Sequence, residues 1–127
     1  MIAHNPDTIA APIGTYVHGL ETAPGARLLH VSGQVGIRKD GTIPEDVAEQ
    51  STVTWENILA ILNSAGMDAS NIVKMTAYLT DPAYLAAYGG ARTAALGDHR
   101  PTSTLVYVPA LVKPELKVEV EVVAAAE

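Results

Sequence analysis

The clearest pattern in the chain is a set of short apolar runs separated by turn residues, with one long stretch of helical spacing between them. Leu28 to Val35 (LLHVSGQV) opens after the turn signal Ala23-Pro24-Gly25 and closes near Gly36, which predicts a strand. The shorter Tyr16 to Glu21 precedes it and could pair with it as a hairpin across that turn, although Gly19 weakens the strand signal. After the turn Arg38-Lys39-Asp40-Gly41, Pro44 suits a first helical position, and Glu45 and Asp46 favour the positive end of a helix dipole. Ala48, Trp55, Ile58, Leu59, Leu62 and Ala65 then recur at threes and fours ahead of Gly66, so a helix is expected from Glu45 to Ala65 with Trp55 in its core face.

Ile72 to Leu79 (IVKMTAYL) predicts a second strand, ended by Asp81-Pro82, and the Ala- and Leu-rich Tyr84 to Leu96 a second helix, with a bend expected at Gly89-Gly90. Ser103 to Val108 and Leu116 to Ala124 complete the set as strands, joined by a segment with Pro109 and Pro114. The order β-β-α-β-α-β-β implies an α+β protein, one sheet with two helices on one face. The first dozen residues are expected to be loose. In the last strand Lys117, Glu119 and Glu121 alternate with Leu116, Val118, Val120 and Val122, so one sheet face is apolar and the other charged. Period-two counting groups Leu105 and Tyr107 with Ser103 on the face opposite the helices, where a lone chain would leave them wet; this predicts a homo-oligomer.

Composition narrows the classes. A chain of 127 residues suits one domain, residues 1–127, and 48% hydrophobic against 17% charged residues is the balance of a packed globular protein. The net charge of −6 argues against nucleic acid as a partner, because a phosphate backbone would be repelled. Without cysteine there is no disulfide, thiolate metal site or thiol nucleophile. No apolar run is long enough for a membrane helix and no signal peptide is recognisable, so no membrane partner and a cytoplasmic address are expected.

Candidate chemistry is sparse at this level. Glu119 and Glu121 lie two apart on a strand, roughly 6 to 7 Å between their projections, which suits two-carboxylate hydrolysis but equally a solvated or intersubunit face. His4, His18, His30 and His99 have no ligand spacing, and no metal site is expected. A Ser32, His30 and Asp98 triad can be drawn on paper but lacks a nucleophile elbow. Ser32-Gly33-Gln34 is more informative: a glycine inside a strand marks either a bulge or the close approach of another group.

Taken together, Pro12-Ile13-Gly14-Thr15-Tyr16, Val31-Ser32-Gly33-Gln34, the Gln50 to Gly66 helix with Asn57, Ile72 to Thr76, Arg100-Pro101-Thr102-Ser103-Thr104 and Lys117 to Glu121 resemble the reactive intermediate deaminase (Rid, YjgF) family over almost the whole chain. The resemblance implies a chorismate-mutase-like fold, a homotrimer with three clefts between subunits, and cofactor-free hydrolysis of enamines and imines of small metabolites with release of ammonia. It implies Tyr16 as the cleft tyrosine, Ser32 and Gly33 as substrate contacts, and Glu119 as the acidic residue near the attacking water, with Glu119 and Tyr16 catalytic. It also exposes departures. Ser103 stands where the deaminase branch carries an arginine that grips the substrate carboxylate. Leu105 replaces a small residue and Tyr88 stands where many members have Asn, so the resemblance implies Ser103, Leu105 and Tyr88 as further substrate contacts; Arg100 would need a long reach to take the arginine's place. The leading expectation is a deaminase-like hydrolase whose substrate lacks the amino-acid carboxylate; the alternative is a non-catalytic, ligand-binding trimer. Ribonuclease activity, a label attached to some relatives, fits the acidic chain poorly.

Overall fold

A computed structural model describes residues 1–127. Its strands are β1 (Ile2–His4), β2 (Gly19–Glu21), β3 (Arg27–Val35), β4 (Ile72–Leu79), β5 (Thr102–Tyr107) and β6 (Val118–Ala126). Its helices are α1 (Val47–Ser64) and α2 (Leu85–Leu96). The main sheet has the order β3-β6-β4-β5, with β4 and β5 parallel and the other pairs antiparallel. The parallel pair follows from α2, which carries the chain from the end of β4 back to the start of β5. Both helices cover one face, over a core that includes Trp55, Ile58, Leu62, Met75, Leu79, Tyr88, Val118 and Val120. This is the α+β arrangement expected.

The differences are local. The hairpin between Tyr16–Glu21 and the next strand does not form; β2 pairs instead with β1, in the segment expected to be loose, as a separate two-stranded sheet. Helix α1 starts at Val47 because Asp46 is its N-cap, its side chain accepting from the Glu49 N–H at 3.0 Å. Its first turns bury Gln50, Ser51 and Thr54 while Ala48 is exposed. The Gln50 amide accounts for this polar burial: it donates to the carbonyls of Pro44 and Glu115 and accepts from the Lys117 N–H, tying helix, loop and the approach to β6 together. Helix α2 runs without interruption through Gly89-Gly90.

Leu105 and Tyr107 were expected on the uncovered face, and the register corrects this. Ser103, Leu105 and Tyr107 pair with Met75, Ala77 and Leu79, which are buried on the helix side; Leu105 packs against the core, while Tyr107, near the end of the edge strand, stays 44% exposed. Alternation along β5 alone does not fix its face, which is set by the pairing with β4. Thr102, Thr104 and Val106 therefore belong to the open face, beside Lys74, Thr76 and Tyr78. Two large apolar side chains do stand exposed there, Leu28 at 53% and Val106 at 40%.

Candidate functional site on the open face of the sheet

Two irregularities interrupt the sheet. Between Val31 and Gln34 the register of β3 shifts against β6, which leaves Ser32 and Gly33 as a bulge. The sequence left open whether Gly33 marked a bulge or a close approach, and both are present. A Cβ on Gly33 would lie 1.9 Å from Glu119 Oε2 and 2.8 Å from its Cδ, so the Glu119 carboxylate lies directly over the glycine. The bulge leaves Ser32 exposed beside it. A second register shift, between Ile72 and Lys74 in β4, puts Lys74 on the same face.

Glu121 is the next acidic residue on that face, and it accepts a hydrogen bond from the Tyr78 hydroxyl. That bond, with partial desolvation and the two nearby carboxylates, holds the Tyr78 hydroxyl protonated above its ordinary range. The two carboxylates are thus differently placed. Glu121 is engaged by a neighbouring side chain, whereas Glu119 rests on bare backbone.

Three adjoining depressions line this face. One, of about 380 Å³, is walled by His30, Ser32, Lys74, Thr76 and Glu121. A second, of about 400 Å³, lies at the β5 edge among Tyr16, His18, Lys74, Thr102, Ser103 and Thr104. The third gathers Tyr78, Glu119, Glu121 and the loop at Ala110 to Val112. The second depression depends on how the segment before β2 is pinned. Arg92 of α2 donates to the Thr15 hydroxyl at 2.5 Å and to its carbonyl at 2.9 Å, and the Val17 N–H reaches the Pro101 carbonyl. Tyr16 is held between these anchors; its hydroxyl accepts from the Ile13 N–H and its ring stands edge-on to His18.

The residues singled out in the sequence therefore fall into three groups. Ser32, Gly33 and Glu119 come together at the bulge. Tyr16 and Ser103 come together at the β5 edge. Tyr88 and Leu105 belong to the core: Tyr88 is 1% exposed in the core cluster that also holds Trp55, and neither the Tyr88 hydroxyl nor the Trp55 ring N–H finds a protein partner. Burial holds the Tyr88 hydroxyl protonated far above the usual tyrosine range. Arg100 folds back onto its own turn, donating to the carbonyls of Gly97 and His99. No group of His, Asp and Glu is arranged to hold a metal ion, and no helix is long and apolar enough to cross a membrane. Lys74, Arg92 and Tyr78 join the site through the fold. A lone lysine or tyrosine on a strand carries no sequence signal until the register places it.

The class so defined is an α+β protein whose uncovered sheet face bears a glycine-cradled carboxylate. The chain belongs to the reactive intermediate deaminase (Rid, YjgF) family: the family described as Endoribonuclease L-PSP matches residues 8–126. A 2-iminobutanoate/2-iminopropanoate deaminase of Escherichia coli is 32% identical over 118 residues, 90% of this chain and 89% of that one. Among solved structures, the Rid-family protein YyfB of Yersinia pestis superposes with a TM-score of 0.87 at 27% identity, covering 98% of each chain. TdcF of Escherichia coli, solved with bound serine, gives 0.75 at 32% identity over 91% of each chain. The family-level function is that of enamine/imine deaminases.

Proposed function

We propose that this protein hydrolyses enamines or imines of a small metabolite with release of ammonia, in clefts that a second copy completes. The observation that carries the reading is the Glu119 carboxylate seated over Gly33 beside exposed Ser32. Water adds to the carbon of the protonated imine while Glu119 takes one of its protons, giving a neutral tetrahedral aminoalcohol. Glu119 returns that proton to the amino nitrogen, and the C–N bond then breaks to release ammonia as Glu119 takes the hydroxyl proton and the carbonyl forms; with that proton passed to ammonia, the sum is iminium plus water to carbonyl plus ammonium. An enamine enters by gaining a proton at carbon. No cofactor takes part in these steps.

The need for a second copy rests on geometry. Ser32, Gly33 and Glu119 lie on β3 and β6, whereas Tyr16 and Ser103 lie at the β5 edge across β4, and the register puts Ser103 and Glu119 on opposite faces. Within one protomer these groups line separate depressions. A neighbouring copy laid against the open face would bring the edge of one chain to the bulge of the next and would cover Leu28 and Val106. The homotrimer of this family is the arrangement proposed, in a cytoplasmic setting.

The Endoribonuclease L-PSP description does not transfer easily, since a chain of net charge −6 is poorly suited to a phosphate backbone. A second reading, a non-catalytic trimer that binds a small ligand in the same cleft, is favoured by Ser103 at the position of the family's arginine. The deciding experiment measures ammonia release above the spontaneous rate from imines generated in situ from a panel of amino acids and amines. Acceleration of at least one imine supports hydrolysis; none, with the protein folded and trimeric, leaves the binding reading. Ser103→Arg sharpens the choice. A gain on 2-imino acids that disappears when Glu119→Ala is added marks a working hydrolytic site.

A further inference from the structure

We propose that Lys74 is the anion-recognition residue of this site, so that the substrate carries a carboxylate although the family's arginine is replaced by Ser103. This deepens the proposed function and rests on it for the reaction, though not for the binding.

By register the open face consists of Leu28, His30 and Ser32 from β3, Glu119, Glu121 and Val123 from β6, Lys74, Thr76 and Tyr78 from β4, and Thr102, Thr104 and Val106 from β5. Lys74 is the one lysine or arginine among them. It is also the one residue that lines both the depression beside Ser32 and the depression beside Tyr16 and Ser103. The second bulge of the sheet falls at Lys74, and a bulge re-aims the side chain next to it.

Most other cations are occupied elsewhere. Arg27 caps the Ala65 carbonyl, Arg38 pairs with Glu49, Arg92 holds Thr15, Arg100 holds its own turn and Lys117 reaches the Glu45 carbonyl. Lys74 has no hydrogen-bond or ion-pair partner, and it is exposed. Glu121 lines the same depression but forms no ion pair with Lys74; its Oε1 accepts from Tyr78 instead. An unpaired ammonium next to hydroxyls of Ser32, Thr76 and Thr104 offers a carboxylate one charge-assisted bond and neutral donors around it. It grips as a point charge and without the planar fork of an arginine, so it tolerates carboxylates in more than one orientation.

The test titrates 2-oxobutanoate, a stable carboxylate-bearing product of 2-imino acid hydrolysis, and the neutral ketone butan-2-one into the wild type, Lys74→Met and Lys74→Arg. The expected result is that Lys74→Met weakens 2-oxobutanoate binding about tenfold or more and leaves butan-2-one unaffected, while Lys74→Arg stays within about threefold of the wild type. Circular dichroism of the variants guards against misfolding. Failure of the wild type to bind 2-oxobutanoate more tightly than butan-2-one, or equal binding by Lys74→Met, overturns the assignment. Ammonia release is read in parallel. Lys74-dependent binding without catalysis would keep the assignment and reject the hydrolase. Hydrolysis of neutral and carboxylated imines alike, indifferent to Lys74→Met, would do the reverse.

Discussion

The two faces of the main sheet are made by alternate residues of the same strands, yet they are built to different ends. On the helix side of β6, Val118, Val120, Val122 and Ala124 are all buried, and the polar Gln50 nearby satisfies three backbone groups. On the other side of the same strand Glu119 leans over a glycine, Glu121 meets a tyrosine, and an unpaired lysine stands a strand away. Packing decides the first face: groups there are apolar or hydrogen-bonded, the Tyr88 hydroxyl and the Trp55 ring N–H excepted. The second face keeps charge and donors free, and both bulges of the sheet open onto it. The difference teaches that in this fold a substitution on one face should be read as stability and on the other as chemistry.

The strongest test of that division is Gln50→Leu. It leaves the Pro44 and Glu115 carbonyls and the Lys117 N–H without their partner in a buried setting. At about 1 kcal/mol or more for each, the loss is about 3 kcal/mol or more, read as a lowered urea midpoint, with the per-molecule activity of the folded fraction retained. Gly33→Ala should invert that pattern. The new methyl displaces only the end of the Glu119 side chain, so the urea midpoint hardly moves, whereas a carboxylate pushed by about 1 Å costs up to about a hundredfold in ammonia release.

Titration of tyrosinate absorbance gives a third, smaller effect. Tyr78 has its folded pKa raised above 10.0, so the stabilisation from its bond to Glu121 is fully present below pH 10 and is lost as pH rises through the folded value. Of the five tyrosines, Tyr78 should titrate late but reversibly in the folded protein, and Tyr88 should appear only on unfolding. Tyr78→Phe should remove the late reversible step. The smallest effect is expected from Tyr88→Phe, which deletes a buried hydroxyl without a protein partner. Its stability should stay within about 1 kcal/mol of the wild type or rise, with KM unchanged; a raised KM would return Tyr88 to the substrate site.

Much of this was legible in the chain. The runs at Leu28 to Val35 and Ile72 to Leu79 declare themselves because β-branched residues and turn signals coincide, and Ser32-Gly33 stands out within the first of them, whereas only the family resemblance separates Glu119 from Glu121 on the last strand. What was not legible depended on pairing. Residues Gly19–Glu21 pair with the equally short Ile2–His4 rather than with their neighbour in sequence, a choice made by tertiary contacts. The face taken by Leu105 follows from its parallel register with Ala77, which no alternation within β5 reveals. The inward turn of Gln50, Ser51 and Thr54 follows from carbonyls distant in sequence, and Lys74 became visible only through the second bulge.

The central claim is that the carboxylate over Gly33 moves the proton in imine hydrolysis, and Glu119→Gln tests it most directly because the amide keeps the shape and loses the basicity. Ammonia release above the spontaneous rate is measured for wild type and variant on whichever imine the wild type accelerates. A fall of about a hundredfold or more in Glu119→Gln, with an unchanged urea midpoint, is the result the account predicts. Equal rates in the two proteins would contradict it.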